Sequence, residues 1–261
     1  MYQNSSFGFI GGGRITRLLL QALKQKNELP GKVVVADPDK HMRDRVKKIE
    51  STIIDCVTNN LDALEVDILF LAVHPPVMKD IAAQITGKLK AHTVVISLIP
   101  IIKIEQLISL LGGIKKIVRL IPNAPSIIHK GYNPVVYSRD INSSEKLQLQ
   151  RLFSMWGESP EVDEQKLEAY AIVAAMGPTY FWFQWQKLFE LGLQFGLTEA
   201  ELKTSITAMT IGAAETLFES NLSPDEVLDL IPVCPLKEAE ATIKDIFEQR
   251  LTALYRKLTR S

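Results

Sequence analysis

The sequence predicts an α/β fold, a doubly wound parallel sheet over residues 1–160 followed by an all-helical domain over 161–261. Three observations carry this prediction. Short β-branched runs alternate with longer amphipathic ones through the first 120 residues, the pattern of βαβ units with right-handed crossovers. A glycine cluster, Gly11-Gly12-Gly13, falls where the first strand should hand over to the first helix. Near residue 160 glycine becomes sparse, strand signals stop and long helical periods take over.

The elements follow in order. Phe7 to Ile10 is strand-like, and Arg14 to Gln25 sets Ile15, Leu18, Leu19, Ala22 and Leu23 at helical spacing. Val33-Val34-Val35 is the next strand, then a charged helix runs from Asp39 to Lys48. Asp67 to Val73 and Thr93 to Ser97 are continuous apolar runs, suited to strands buried on both faces. Between them Pro75 to Lys90 reads as helix, with proline in the first turn, where a missing N–H costs little. Lys116 to Leu120 is a further strand. Beyond residue 160 the helical periods are 164–175, 178–195, 198–220, 224–230 and 236–258. Thr198 with Glu201, and Ser223-Pro224 with Glu226, have capping-box spacing. Seven of the 19 aromatics lie between Tyr180 and Phe195, which predicts an extensively buried helix in the core or at a subunit interface. A helical domain behind a nucleotide fold often supplies a dimer surface, so a homodimer or larger homo-oligomer is expected.

Composition narrows the function. The net charge is zero, but residues 1–160 carry 21 basic and 14 acidic side chains, net +7, and residues 161–261 carry 9 and 16, net −7. That balance excludes a generally basic nucleic-acid binder. Cys56 and Cys234 lack the spacing of a metal knuckle or a redox pair, and the four histidines form no ligand pattern, so no metal is expected. The N-terminus lacks a signal-peptide pattern, and the longest apolar stretch, Thr93 to Ile102, is too short to span a bilayer. The reading is a soluble cytoplasmic protein.

The chemistry begins at Gly8-Phe9-Ile10-Gly11-Gly12-Gly13-Arg14-Ile15-Thr16. A GxG segment between strand and helix is the fingerprint of a Rossmann-type dinucleotide site. Gly11 permits the tight turn, Gly13 lets the backbone approach a pyrophosphate, and the helix start at Arg14 and Ile15 offers unpaired N–H groups. Thr16 stands where such turns usually have Gly or Ala, which would loosen the approach of helix to strand. Asp37 ends the second strand 24 residues after Gly13, where a carboxylate accepts from the ribose hydroxyls and repels a 2′-phosphate. It leans the cofactor from NADP towards NAD, while Arg14, Lys40 and Arg43 offer a phosphate another anchor. Ala72-Val73-His74-Pro75 ends a buried strand at the ligand edge, and His74 either contacts the cofactor or only terminates the strand.

In their order these segments resemble the pyrroline-5-carboxylate reductase family, over nearly the whole chain. Phe9 to Gly13 is similar to its FIGxGNM turn, with Arg14 and Ile15 for Asn and Met, and Leu71 to Pro75 to its LAVKP. Lys116 to Pro125 is similar to its RVMPNTP segment with Gly131 following, and Ala174 to Tyr180 stands where the family has SGSGPAY. Phe195-Gly196-Leu197 and Gly212-Ala213-Ala214 match its AGLP and GAA helices. The resemblance implies NAD(P)H-dependent hydride transfer to the C=N bond of a cyclic imine, the step that makes proline. It implies that Asn123 orders the nicotinamide end and that Met176, Gly177 and Pro178 border the substrate.

Departures from the family cluster at the expected substrate site. Ala174, Ala175 and Met176 remove hydroxyls and add bulk. The family's SPGGTT turn, which holds the substrate carboxylate, corresponds to Ile231-Pro232-Val233-Cys234-Pro235-Leu236-Lys237, without its glycines or threonines. Lys237 is then either a replacement counter-ion or an exposed lysine at the start of the last helix. No catalytic acid or base stands out, since an imine nitrogen arrives protonated. Two alternatives remain: a non-catalytic nucleotide-binding regulator on the same fold, or a reductase with a different small substrate or a deazaflavin cofactor. For the last, no 3-hydroxyacid dehydrogenase lysine motif is evident.

Overall fold

In the computed structural model, which describes residues 4–259, the alternating apolar runs form a sheet covered by helices. The first elements are β1 (Ser6–Ile10), α1 (Arg14–Gln25), β2 (Lys32–Ala36), α2 (Lys40–Lys47), β3 (Ile54–Val57), β4 (Ile68–Leu71), α3 (Met78–Ile85), β5 (Val94–Ser97), α4 (Ile104–Leu110) and β6 (Ile117–Leu120). They are followed by β7 (Gly131–Tyr132), β8 (Val135–Tyr137), α5 (Ser143–Phe153), β9 (Gly157–Glu158) and α6 (Leu167–Tyr170). The helices α7 (Pro178–Gln194), α8 (Glu199–Glu219), α9 (Pro224–Asp229) and α10 (Glu240–Thr259) complete the described chain.

Seven strands pair in the order β3-β2-β1-β4-β5-β6-β8. The first six are parallel, and β8 closes one edge antiparallel to β6. From β1 the chain winds outward through β2 to β3, then returns to place β4 on the other side of β1. That reversal opens a crevice at the carboxyl ends of β1 and β4.

Alternating side chains of the central strands feed two cores. Phe7, Phe9 and Phe70 join Leu19, Leu20, Phe153 and Trp156 on one face; Ile10, Leu69, Leu71, Ile81, Val95 and Leu107 gather on the other. Phe9 and Phe70 stack with centroids 4.4 Å apart, and Trp156 meets Phe70 edge-on at 6.2 Å. The fully buried Trp156 satisfies its indole N–H on the Leu19 carbonyl at 3.1 Å, tying α1 to the segment after α5. A side chain at Gly8 would not fit, since its Cβ would lie 2.2 Å from the Ala63 carbonyl oxygen.

Several elements differ from the sequence reading. The helix expected over Pro75 to Lys90 is a short 3-10 turn, Pro75–Val77, followed by α3, which ends at Ile85. It stops because Thr86 leaves the helical region and spends its hydroxyl on the Ala82 and Leu110 carbonyls, and Gly87 then takes φ +74°. The helical period at 164–175 divides into a 3-10 turn, α6 and a π turn over Ala171–Ala175. Strands β3, β7, β8 and β9 and helices α4 and α5 are added by the structure. The change of texture near residue 160 falls inside the first of two compact units, which reaches Met176 and takes in the chain again from Leu254; Gly177–Ala253 is the other.

Within the second unit, both capping boxes form. The Glu201 carboxylate accepts the Thr198 N–H at 2.8 Å, Glu226 does the same for Ser223, and the Thr198 and Ser223 hydroxyls hold the two carboxyls below their usual range. Gly192 lets α7 close on α8, where a Cβ would sit 2.2 Å from Leu202. Of the two settings expected for the aromatic helix, the core of a single chain is not the one found: Gly192 alone is buried in α7, and Phe183 is 68% exposed. Within the second unit α7 meets α8 at Gly192 and Leu202 and meets α10 at Tyr180 and Phe247, whose ring centroids are 5.7 Å apart, while most of its other aromatics stay exposed within one chain.

Replacing Gly8 by alanine forces β1 away from Ala63. We expect a loss of about 1–3 kcal/mol of stability, the usual cost of overpacking a core, read from the urea midpoint; an unchanged midpoint would refute the close approach.

Candidate functional site

The crevice is built by three strand exits that hold each other. After β1, Gly11 turns with φ +101°, which L side chains avoid, and a Cβ there would stand 2.4 Å from the Ala72 carbonyl oxygen. Its N–H donates to the Ala36 carbonyl at 2.8 Å, and the Ala72 N–H donates to the Ile10 carbonyl at 2.9 Å. The ends of β1, β2 and β4 are thereby joined through one turn. The turn sets Gly11 against Ala72 and Val73 and Gly12 against Asp37, with Gly13 next in the chain.

Gly13 caps α1 without a side-chain bond, and a Cβ added there would meet nothing within 4 Å. The start of α1 is therefore an open cradle, with first-turn N–H groups that have no intrahelical acceptor. Arg14 is exposed and Ile15 half-buried beside it. Thr16 does not act as a spacer. It is fully buried and its hydroxyl donates to the Gly11 carbonyl at 2.6 Å, bracing the turn.

Asp37 supports the same turn. Its Oδ2 accepts the Gly12 N–H at 2.7 Å and its Oδ1 the Asp39 N–H at 2.8 Å. A carboxylate has about four lone-pair sites, so acceptors remain for two ribose hydroxyls. Arg43 lies close by, with Nη1 donating to the Asp37 and Pro38 carbonyls at 2.7 and 2.9 Å. Lys40 pairs along its own helix with Asp44 at 2.9 Å. These residues fit a dinucleotide: a cradle open at Gly13, a helix start, and a half-buried carboxylate one strand away.

His74 is exposed and opens the 75–77 turn, with no cap bond from its side chain. Asn123 stands farther along the same edge, after β6. Its Nδ2 donates to the Ala174 carbonyl at 3.3 Å, and its Oδ1 accepts the Tyr132 N–H at 3.2 Å. Both ends of the amide thus serve the protein, fixing the π turn against this loop. Two tyrosines missed in the sequence gather here: Tyr132 and Tyr170, ring centroids 6.1 Å apart, with the Tyr132 phenol pushed up by desolvation and then by Tyr170. Single tyrosines at the ends of a two-residue strand and a one-turn helix carry no motif, so only the fold reveals the pair.

Met176 ends the π turn, its N–H donating to the Ala171 carbonyl at 2.9 Å. Such turns are frequent at functional sites. Gly177 and Pro178 begin α7 in the second unit. In that unit Lys237 is exposed and pairs with Glu240 at 2.9 Å; Glu240, which also bonds Lys244, is held at a pKa of about 2, the Lys244 hydrogen bond being the leading cause. The 231–236 segment is irregular and exposed. Among the described residues no group of His, Cys, Asp and Glu could hold a metal ion, and no helix is long and apolar enough to cross a membrane.

Sheet topology, the glycine turn and the Asp37 carboxylate beside it define the class: an NAD(P)-dependent oxidoreductase of the Rossmann type. Residues 6–100 match the family model described as NADP oxidoreductase, coenzyme F420-dependent. A pyrroline-5-carboxylate reductase of Corynebacterium melassecola is 28% identical over 230 residues, covering 85% of this chain and 83% of that one. One from Pseudomonas aeruginosa is 26% identical over 249 residues, 94% and 90% of the two chains. The crystal structure of a Plasmodium falciparum pyrroline carboxylate reductase with NADP bound shares the fold, with a TM-score of 0.77, 20% identity and coverage of 99% and 97%. Along most of its length this chain is similar in sequence to pyrroline-5-carboxylate reductases.

Thr16→Val keeps the side chain's shape but removes the donor to Gly11. Stability should fall by about 1–3 kcal/mol, the cost of a buried acceptor left unpaired; calorimetry showing no change would mean that the hydroxyl does not brace the turn.

Proposed function

We propose that this protein reduces the C=N bond of a small cyclic imine with NADH or NADPH, as its relatives' names describe for 1-pyrroline-5-carboxylate. The observation that carries the proposal is the convergence of Gly11, Gly13, Asp37 and Ala72 on one open cradle. The cofactor, when bound, supplies the hydride. The chain's part is to hold and orient. The Gly11–Gly13 turn and the first N–H groups of α1 receive the pyrophosphate, helped by Arg14 and Ile15. Asp37 accepts from the ribose, and Ala72 to Pro75, with His74, borders the next part of the crevice. Asn123 acts through the loop it fixes, and Met176, Gly177 and Pro178 face the substrate. No side chain need supply a strong acid, because the imine nitrogen is basic enough to arrive protonated.

Asp37 favours NADH, and the Arg43 guanidinium is the residue best able to accept a 2′-phosphate instead. The substrate end is more apolar than in the family pattern, since 174–176 lack hydroxyls and 231–236 lack that pattern's glycines and threonines. These departures favour a second reading, a nucleotide-binding regulator that has lost turnover. Lys237 is the remaining candidate counter-ion to a substrate carboxylate. Two free cysteines, Cys56 and Cys234, suit a reducing cytoplasm.

The second unit exposes Phe183, Phe195, Phe218, Leu228, Ile231 and Val233 more than three-fifths each. Apolar surface of this extent is supported best as a subunit interface between copies of this chain.

Three outcomes test this reading. Purified protein given 1-pyrroline-5-carboxylate should consume reduced nicotinamide; dinucleotide binding without turnover across a panel of cyclic imines and 2-oxo acids would favour the regulator. Asp37→Ser should shift the NADH to NADPH ratio of kcat/KM by about tenfold or more towards NADPH, as expected for lost bonds to a charged acceptor. Sedimentation at micromolar concentration should give a dimer or larger; a stable monomer would count against the interface.

A further inference from the structure

Outside the residues used by the proposed chemistry, a buried ionic cluster joins β6 to the loop that leaves β5. Arg119, in β6, is fully buried. Its Nη2 donates to Glu168 Oε1 at 2.6 Å and its Nη1 to Glu164 Oε1 at 3.0 Å. Each of those oxygens also accepts from the loop: Glu168 from the Ile101 N–H at 3.2 Å, and Glu164 from the Ile104 N–H at 2.7 Å.

Ile101 is the strained residue of this loop, with φ +82°. A β-branched side chain in the left-handed region is a steric outlier, and it persists only where the surroundings over-determine it. The two carboxylates, held in place by Arg119, do so here. Strand β5 lies between β4 and β6, all three parallel, so its exit loop lies between the 72–75 and 121–123 segments at the ligand edge. Ile101 and Ile102 line one apolar groove of about 750 Å³ with Pro75 and Pro76, next to the cofactor-facing segment.

We propose that Glu168, held by Arg119, is a positioning residue that locks Ile101 in its strained conformation and so pre-forms the middle of the dinucleotide crevice. This rests on the reading of the protein as a dinucleotide-dependent reductase. A loop fixed before the cofactor arrives spares binding the cost of ordering it. Locally strained backbone beside a ligand site is a recurring form of such pre-organisation.

The test uses three variants of the full chain. Glu168→Gln keeps an oxygen for both Arg119 and Ile101, whereas Glu168→Ala removes it. Ile101→Gly leaves the ionic cluster intact and accepts φ +82° without strain, so it folds even where Glu168→Ala does not. Each is read by amide exchange over residues 98–103, by the Kd for NADH and NADPH from fluorescence titration, and by KM and kcat. Ile101→Gly should keep the wild-type Tm within a few degrees, exchange faster in the loop, and weaken dinucleotide binding about tenfold. KM for the dinucleotide should rise more than kcat falls, and Glu168→Gln should restore most of what Glu168→Ala loses. Folded Ile101→Gly and Glu168→Ala proteins with wild-type Kd and KM would overturn the proposal while leaving the reductase reading intact. Wild-type protein that binds neither dinucleotide would overturn the reading itself, and the proposal with it.

Discussion

The turn that leaves β1 must pass within contact distance of the β4 exit, and the ligand edge is organised around that approach. Gly11 meets the requirement by taking φ +101° and by having no Cβ to strike the Ala72 carbonyl. The tight passage sets the positions of Gly12 and Gly13. Gly12 then donates to Asp37, and Gly13 opens α1 with its first N–H groups uncovered. Thr16 donates back to the Gly11 carbonyl from inside the fold. The turn, the carboxylate and the helix start are therefore one hydrogen-bonded assembly, and a change at any of them is felt by the others.

Behind this edge the two faces of the sheet are filled differently. On one, the aromatic stack of Phe9, Phe70 and Trp156 carries the packing and anchors α1. On the other, aliphatic side chains pack beneath α3 and α4. The second unit follows another logic. Its helices α8 and α9 carry capping boxes, yet its apolar faces are largely exposed in the single chain. Local capping gives helices their ends, while burial of their faces requires a further surface.

Much of the first unit was legible in the sequence because parallel strands buried on both faces leave continuous apolar runs, as in Val33 to Val35 and Ile68 to Leu71. The Gly11–Gly13 turn was legible because a positive φ at Gly11 demands glycine and because a glycine cluster between strand and helix is a known pattern. Strand β3 was not, since Asp55 and Cys56 break the apolar pattern, and β7 and β9 are too short to carry one. The bracing bond from Thr16 to the Gly11 carbonyl is not legible, because spacing alone does not tell where a hydroxyl points. The Asn123 bond to Ala174 spans 51 residues, and the tie between Ile101 and Glu168 spans 67, beyond any local signal. The strain at Ile101 is hidden for another reason: an isoleucine in an apolar run looks like ordinary core. The aromatics of α7 show the limit of composition, because core and interface helices share the same residues.

The central claim is that the exits of β1, β2 and β4 hold a nicotinamide dinucleotide. Hydrogen exchange of the intact protein, with and without saturating NADH, tests it most directly. The account predicts slowed exchange at the amides of residues 11–16, 37–39 and 72–74, with the outer face of the sheet unchanged. Protection absent there, or confined to the second unit, would contradict it.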